Sequence, residues 1–138
     1  ENAASPWRET VFYSHNFHEI TNYFPYRVIR GSRYKYVRCL ASKLDMPLGQ
    51  DLFDSLSYTS IKKNGGSSTR SQGRILRHWP EALFDLENDP DEMTNLIDDP
   101  QVQPIVEDYR NQLLEFRLQT KDPWLEIDHQ EGRVESYR

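Results

Sequence analysis

"LFDLENDPDEMTNLIDDP", Leu83 to Pro100, crowds carboxylates into one run that holds no Lys or Arg. Three readings compete for it: a metal loop, a disordered acidic run, or a turn that joins a strand to a helix. A calcium loop of EF-hand type needs alternating oxygen ligands, a glycine at the sharp turn and a carboxylate closing the set. Asp85, Glu87 and Asp89 alternate as such ligands would, but Pro90 stands at the glycine position and Leu96 at the closing one. The EF-hand reading fails there. A structural turn fits better. Asn88-Asp89-Pro90-Asp91 has the residues that turns use, with Pro90 pre-setting φ. From Glu92 the chain is expected to make a short helical turn, with Leu96 and Ile97 tucking back onto a core and the carboxylates mostly solvated.

The flanks agree with a connecting turn. Ala82–Leu86 is a strand candidate. After Pro100, Val102, Ile105, Val106, Tyr109, Leu113 and Phe116 recur at steps of three and four, which lines one face of a helix. Asp99 suits the N-cap and Pro100 the first helical position. The helix should end near Thr120, because Pro123 biases the residue before it away from helix.

Working towards the N-terminus, "RVIRGSRYKYVRCL" is the clearest local signal. Val28–Arg30 and Arg33–Leu40 read as strands, and Gly31-Ser32 as a tight turn with glycine at its first central position. In the second strand Tyr34 and Tyr36 share one face while Lys35, Val37 and Cys39 share the other. Val11–Tyr13 is a further strand candidate. "HNFHEITNYFPY", with Pro25, reads as an irregular loop. Leu52–Ile61 reads as one short helix with Leu52, Phe53 and Leu56 side by side. Lys62–Arg74 is rich in Gly and Ser and is expected to be a mobile loop. The fold class is therefore α+β: a small antiparallel sheet of about four strands, with a long C-terminal helix packed on one face.

Composition supports a packed domain. The 138 residues include 8 Tyr, 6 Phe and 3 Trp, which offset a mean hydropathy of -0.85. A chain of this length can bury roughly two thirds of the surface its unfolded form exposes. The single Cys39 excludes an internal disulfide, and no apolar run approaches a membrane span. The segment "ENAASPWRE" lacks the basic and apolar regions of a signal peptide, and the chain reads as a fragment or excised domain.

The run Leu83, Phe84, Asp85, Leu86, Asp89, Pro90, Glu92, Asn95 and Leu96 resembles a pattern that sulfatases carry after the central strands of their last domain. "RVIRGSRYKYVR" is similar to the same family's strand pair, and "SHNFHEIT", "MPLGQDLFDS" and "TKDPW" are closer to one branch, the heparan N-sulfatases. The resemblance runs from Pro6 to Trp124 and departs at Asn64–Gly73 and after Trp124. It divides the chain into a domain at 1–124, with a flexible insert at 62–74, and a polar tail at 125–138.

The resemblance implies a parent enzyme that hydrolyses sulfate esters or sulfamates of glycosaminoglycan-type sugars. Its nucleophile would be a formylglycine made from a C-x-P-S-R motif beside Ca²⁺, both in a catalytic domain absent here. "CLASK", Cys39 to Lys43, departs from that motif at Ala41 and Lys43 and continues a strand, so no catalytic residue and no metal ligand is assigned to this chain. The expected contribution is a wall of the substrate pocket. His18, Glu19 and Arg27 are the residues expected there: the Glu19 carboxylate would receive an amine or hydroxyl of the sugar, and Arg27 would hold Glu19 or meet an anion. His15 is a weaker candidate; His78 and His129 receive no role. The implied partners are the N-terminal catalytic domain and a sulfated sugar, with no nucleic acid, no membrane, and a dimer through an exposed apolar face. Trp7, Phe12, Phe17 and Phe24 are where that face is expected. Periplasm, lysosome or exterior is the expected location.

A rival reading comes from another class. Arg27, Arg30, Arg33, Lys35 and Arg38, with Tyr34 and Tyr36 between them, would suit a free-standing module that binds a polysaccharide or nucleic acid. Alternation splits those cations between two faces of a sheet, which argues against it.

Overall fold

The computed structural model describes residues 8–18, 22–44, 49–63, 66–67, 70–71 and 79–126. The strands are β1 (Val11–His18), β2 (Asn22–Arg30), β3 (Tyr34–Cys39), β4 (Gly66–Ser67), β5 (Arg70–Ser71) and β6 (Glu81–Asp85). The helices are α1 (Gln50–Phe53), α2 (Leu56–Lys63) and α3 (Gln103–Gln119), the last preceded by a 3-10 turn at Pro100–Val102. Four strands form an antiparallel sheet in the order β1-β2-β3-β6. The α+β class is borne out. The chain divides into two compact units, one made of Glu1–Ser14, Arg27–Arg38 and Glu81–Arg138, the other of His15–Tyr26 and Cys39–Pro80.

In the first unit α3 lies on one face of the sheet. Ile29, Tyr36 and Leu83 from three strands meet Val106 and Leu113 of the helix, each at most 3% exposed. Side chains of this kind, fully buried, contribute about 1.5–3 kcal/mol each. Phe12 stacks on Phe116 with ring centroids 4.3 Å apart and planes 6° from parallel. The helical periodicity and its start are as expected: Asp99 accepts a hydrogen bond from the Gln101 N–H at 2.9 Å, and Pro100 follows it.

β3 and β6 pair antiparallel with Tyr36 opposite Leu83 and Lys35 opposite Phe84. The two faces read from alternation therefore hold, with Tyr36 on the helix side. The strands β2 and β3 are adjacent as expected, but residues 31–33 join them where a two-residue Gly31-Ser32 turn was expected, and Gly31 serves a different purpose. Its φ is not in the left-handed region, so no glycine-dependent turn is present. A methyl group at this position would instead run into the Tyr109 hydroxyl oxygen, with the ring carbon Cζ only 3.6 Å away. Glycine is needed here for space.

The acidic stretch is a connecting turn. The Glu92 N–H donates to the Asp89 carbonyl at 3.0 Å, which places Pro90 at the second position of a four-residue turn. The expected helical turn from Glu92 is absent: residues 92–96 are irregular, and Glu92 has φ 54°. The Asp89 carboxylate explains this, because it accepts from the N–H groups of Met93 and Thr94 and holds the chain extended past the turn. Leu96 and Ile97 do pack back on the core.

This segment also closes the outer rim of β6. Leu96 N–H donates to the Leu83 carbonyl at 2.8 Å, and the Asn95 side chain accepts from Leu83 N–H and donates to the Glu81 carbonyl. Asp89 N–H takes the Asp85 carbonyl at 2.7 Å. The outward backbone groups of a rim strand are thus met by local side chain and loop.

In the second unit two expectations are corrected. The presumed loop from His15 to Tyr26 is largely strand: β1 runs to His18 and β2 starts at Asn22, with Pro25 inside it. Pro25 is tolerated because its carbonyl accepts from Leu40 N–H at 2.9 Å. A strand residue points its N–H and C=O at the same neighbour, so the missing donor falls opposite Leu40, just past the end of β3. The single helix over Leu52–Ile61 is two. Ser55 breaks it by capping α2, its Oγ accepting from Tyr58 N–H at 3.0 Å. Leu52 and Leu56 of the expected apolar face are 49% and 89% exposed, and among the described side chains of the two helices Tyr58 is the buried one. Within the expected insert, α2 extends to Lys63, and β4 and β5 form a minimal ladder, Gly66 opposite Ser71 and Ser67 opposite Arg70.

Candidate functional site

Arg27 stands on β2 as anticipated, and the structure shows what holds it. Its Nε and Nη2 donate to the two carboxylate oxygens of Asp122 at 2.7 and 2.8 Å. The guanidinium carbon lies 5.0 Å from the ring centroid of Trp124. Arg117, on the last turn of α3, adds its Nε to the same carboxylate at 2.8 Å. All three charged side chains are at most 6% exposed.

The backbone that delivers Asp122 is a helix stop with a lysine in the left-handed position. Lys121 has φ 52°, its N–H donates to the Leu118 carbonyl, and the Asp122 N–H donates to the Arg117 carbonyl. This is the paired-bond closure of a helix C-terminus, in which an apolar contact usually joins the residues that here form an ion pair. Trp124 N–H then donates to Asp122 Oδ1 at 3.1 Å. Burial pushes the Asp122 carboxyl up, but hydrogen bonds from Arg27, Trp124 N–H and Arg117 outweigh it, and its pKa falls to about 2. Burial pulls the Arg117 guanidinium down, against the hydrogen bond to Asp122. Asp122 is thus held as a carboxylate and serves as an anchor; a proton donor at neutral pH it is not.

Three of the other cations that suggested a basic face are also turned onto carboxylates. Arg33 bonds Asp85 at 2.7 Å, and that hydrogen bond holds the Asp85 carboxyl well below the usual range. Lys35 bonds Glu92 and lies over the Phe84 ring. Arg38 bonds Glu81 at 2.9 Å, and Arg110 bonds both Glu81 and Glu107. Burial and the Glu81 charge push the nearby Tyr36 phenol up. Of the five cations, Arg27, Arg33, Lys35 and Arg38 are in ion pairs and Arg30 is exposed.

The acidic residues Asp85 and Asp89 have protein donors. Asp85 accepts from Arg33, from the N–H groups of Glu87 and Asn88, and from the Asn88 amide. No group of three or more His, Cys, Asp or Glu able to hold a metal occurs among the described residues.

In the second unit His18 ends β1 and is exposed. Glu19, His78, His129 and Trp7 lie outside the described residues. His15 is half-buried, its Nδ1–H donating to the Phe24 carbonyl at 3.0 Å and its ring stacked on Tyr26 at 5.1 Å. Phe24 meets His15 edge-on. Of the aromatics expected on an apolar face, Phe17 is 61% exposed, whereas Phe12 is taken up by Phe116. Val11 and Tyr13, at 53% and 40%, are exposed instead. Cys39 is buried at the end of β3, its N–H donating to the Pro80 carbonyl at 2.9 Å. It opens no helix. Asp122 is the residue that sequence reasoning missed; its one local signal was a Pro-flanked acid just past a helix end.

With this geometry in place, the comparisons fall on one class of protein, the sulfatases. The sulfatase resemblance drawn from the acidic turn is borne out, although no family model matches the chain. Human N-sulphoglucosamine sulphohydrolase is 30% identical over 127 residues, covering 88% of this chain and 25% of that protein. A putative sulfatase from Bacteroides thetaiotaomicron and a 2-O GAG sulfatase each superpose with a TM-score of 0.52 at 22% identity, over 85% of this chain and 18% of theirs. At that identity the two structures establish the fold. The chain spans about a quarter of the curated relative's length.

Proposed function

We propose that this chain is the C-terminal domain of a longer sulfatase-type hydrolase that removes O-sulfate or N-sulfate from glycosaminoglycan-type sugars. The match to N-sulphoglucosamine sulphohydrolase along 88% of the chain carries the reading. The domain proper would span residues 1–124, with an insert at 62–74 and a tail at 125–138. Its partner would be a catalytic domain supplying formylglycine and Ca²⁺, in an exported or lysosomal enzyme. The isolated chain is expected to be inactive, since its one thiol is buried at the end of a strand.

Within this reading His18 and Glu19 face the sugar, the Glu19 carboxylate accepting from an amine or hydroxyl. Arg27 is the lesser member of the set, because Asp122 already takes two of its nitrogens. The free-standing anion-binding module is disfavoured by the same pairing: four of its five proposed cations face carboxylates. Heparin titration of the chain at moderate salt should therefore show no binding.

Two measurements test the proposal. The reading frame upstream of Glu1 should encode a C-x-P-S-R motif; a frame without one defeats the sulfatase reading. In the full-length enzyme, Glu19→Gln should raise KM or lower kcat on an N-sulfated glucosamine substrate at an unchanged unfolding midpoint. Parent-like kinetics would remove Glu19 from the site and leave the domain assignment standing.

A further inference from the structure

No further inference is drawn: the strongest candidate, the exposed apolar side chains Val11 and Tyr13 on the outer strand β1, is a sheet surface with nothing in the structure to show what covers it.

Discussion

Replacing Asp122 by Asn tests the anchor at the end of α3. The substitution keeps the side chain's shape and removes its charge, leaving Arg27 and Arg117 with side-chain exposures of 6% and 4% and no carboxylate between them. Breaking a buried ion pair from one side costs about 3–5 kcal/mol, and here two cations lose one partner, so the upper half of that range applies. With a urea dependence of about 2 kcal/mol per molar for a domain of this size, the unfolding midpoint should fall by about 2 M. The melting temperature should drop by about 10–20 °C. Glu107→Gln is the control: its side chain is 60% exposed, so the loss should stay below about 1 kcal/mol. The triple variant Arg27→Met, Arg117→Met, Asp122→Leu should recover much of the stability, because apolar replacement of the whole cluster removes the stranded charge. An unchanged midpoint for Asp122→Asn would refute the anchor. A triple variant no better than the single one would assign the loss to the helix stop and not to the charges.

Acid should weaken the fold in a defined window. Asp122 is lowered from 3.8 to about 2 and Asp85 is lowered too, so their contribution is complete above about pH 4 and is lost as pH falls towards 2. Urea midpoints measured from pH 6 to 2 should decline in that interval, and a flat profile would contradict it. Gly31→Ala should cost about 1–3 kcal/mol by overpacking against Tyr109, and Tyr109→Phe in that background should restore part of it. Additive losses in this pair, measured by denaturant unfolding, would mean the close approach is not the cause. Asn95→Ala should cost about 1–3 kcal/mol, since it removes the partners of Leu83 N–H, Ile97 N–H and the Glu81 carbonyl. Faster amide exchange at Leu83 is the accompanying sign.

What could be read from the sequence was local. The turn at Asp89-Pro90, the cap at Asp99 and the apolar stripe of α3 each depend on residues within a turn or two of one another. The strand through Pro25 was hidden, because its legitimacy depends on where β3 stops. Gly31 was noticed for the wrong reason: its freedom of φ is visible in the residue type, whereas the encroaching Tyr109 is a tertiary fact. Ser55 looked like a mid-helix polar residue until its hydroxyl capped the second helix. The anchor was the least legible feature, since Arg27 and Asp122 are 95 residues apart and nothing in spacing joins them. Of the site residues, His18 could be placed as exposed, and the basic stretch lost its anion-binding appearance only once each partner carboxylate was located.

The stitching of β6 by Asp89, Asn95 and Leu96 has a consequence for self-association. A sheet with both borders open can add copies without limit, as fibres do. With one border of the four-stranded sheet occupied by its own chain, β1 is the border of that sheet that the described residues leave for a strand-to-strand meeting. Pairing through β1 uses up that border on each molecule, so this sheet adds no third copy.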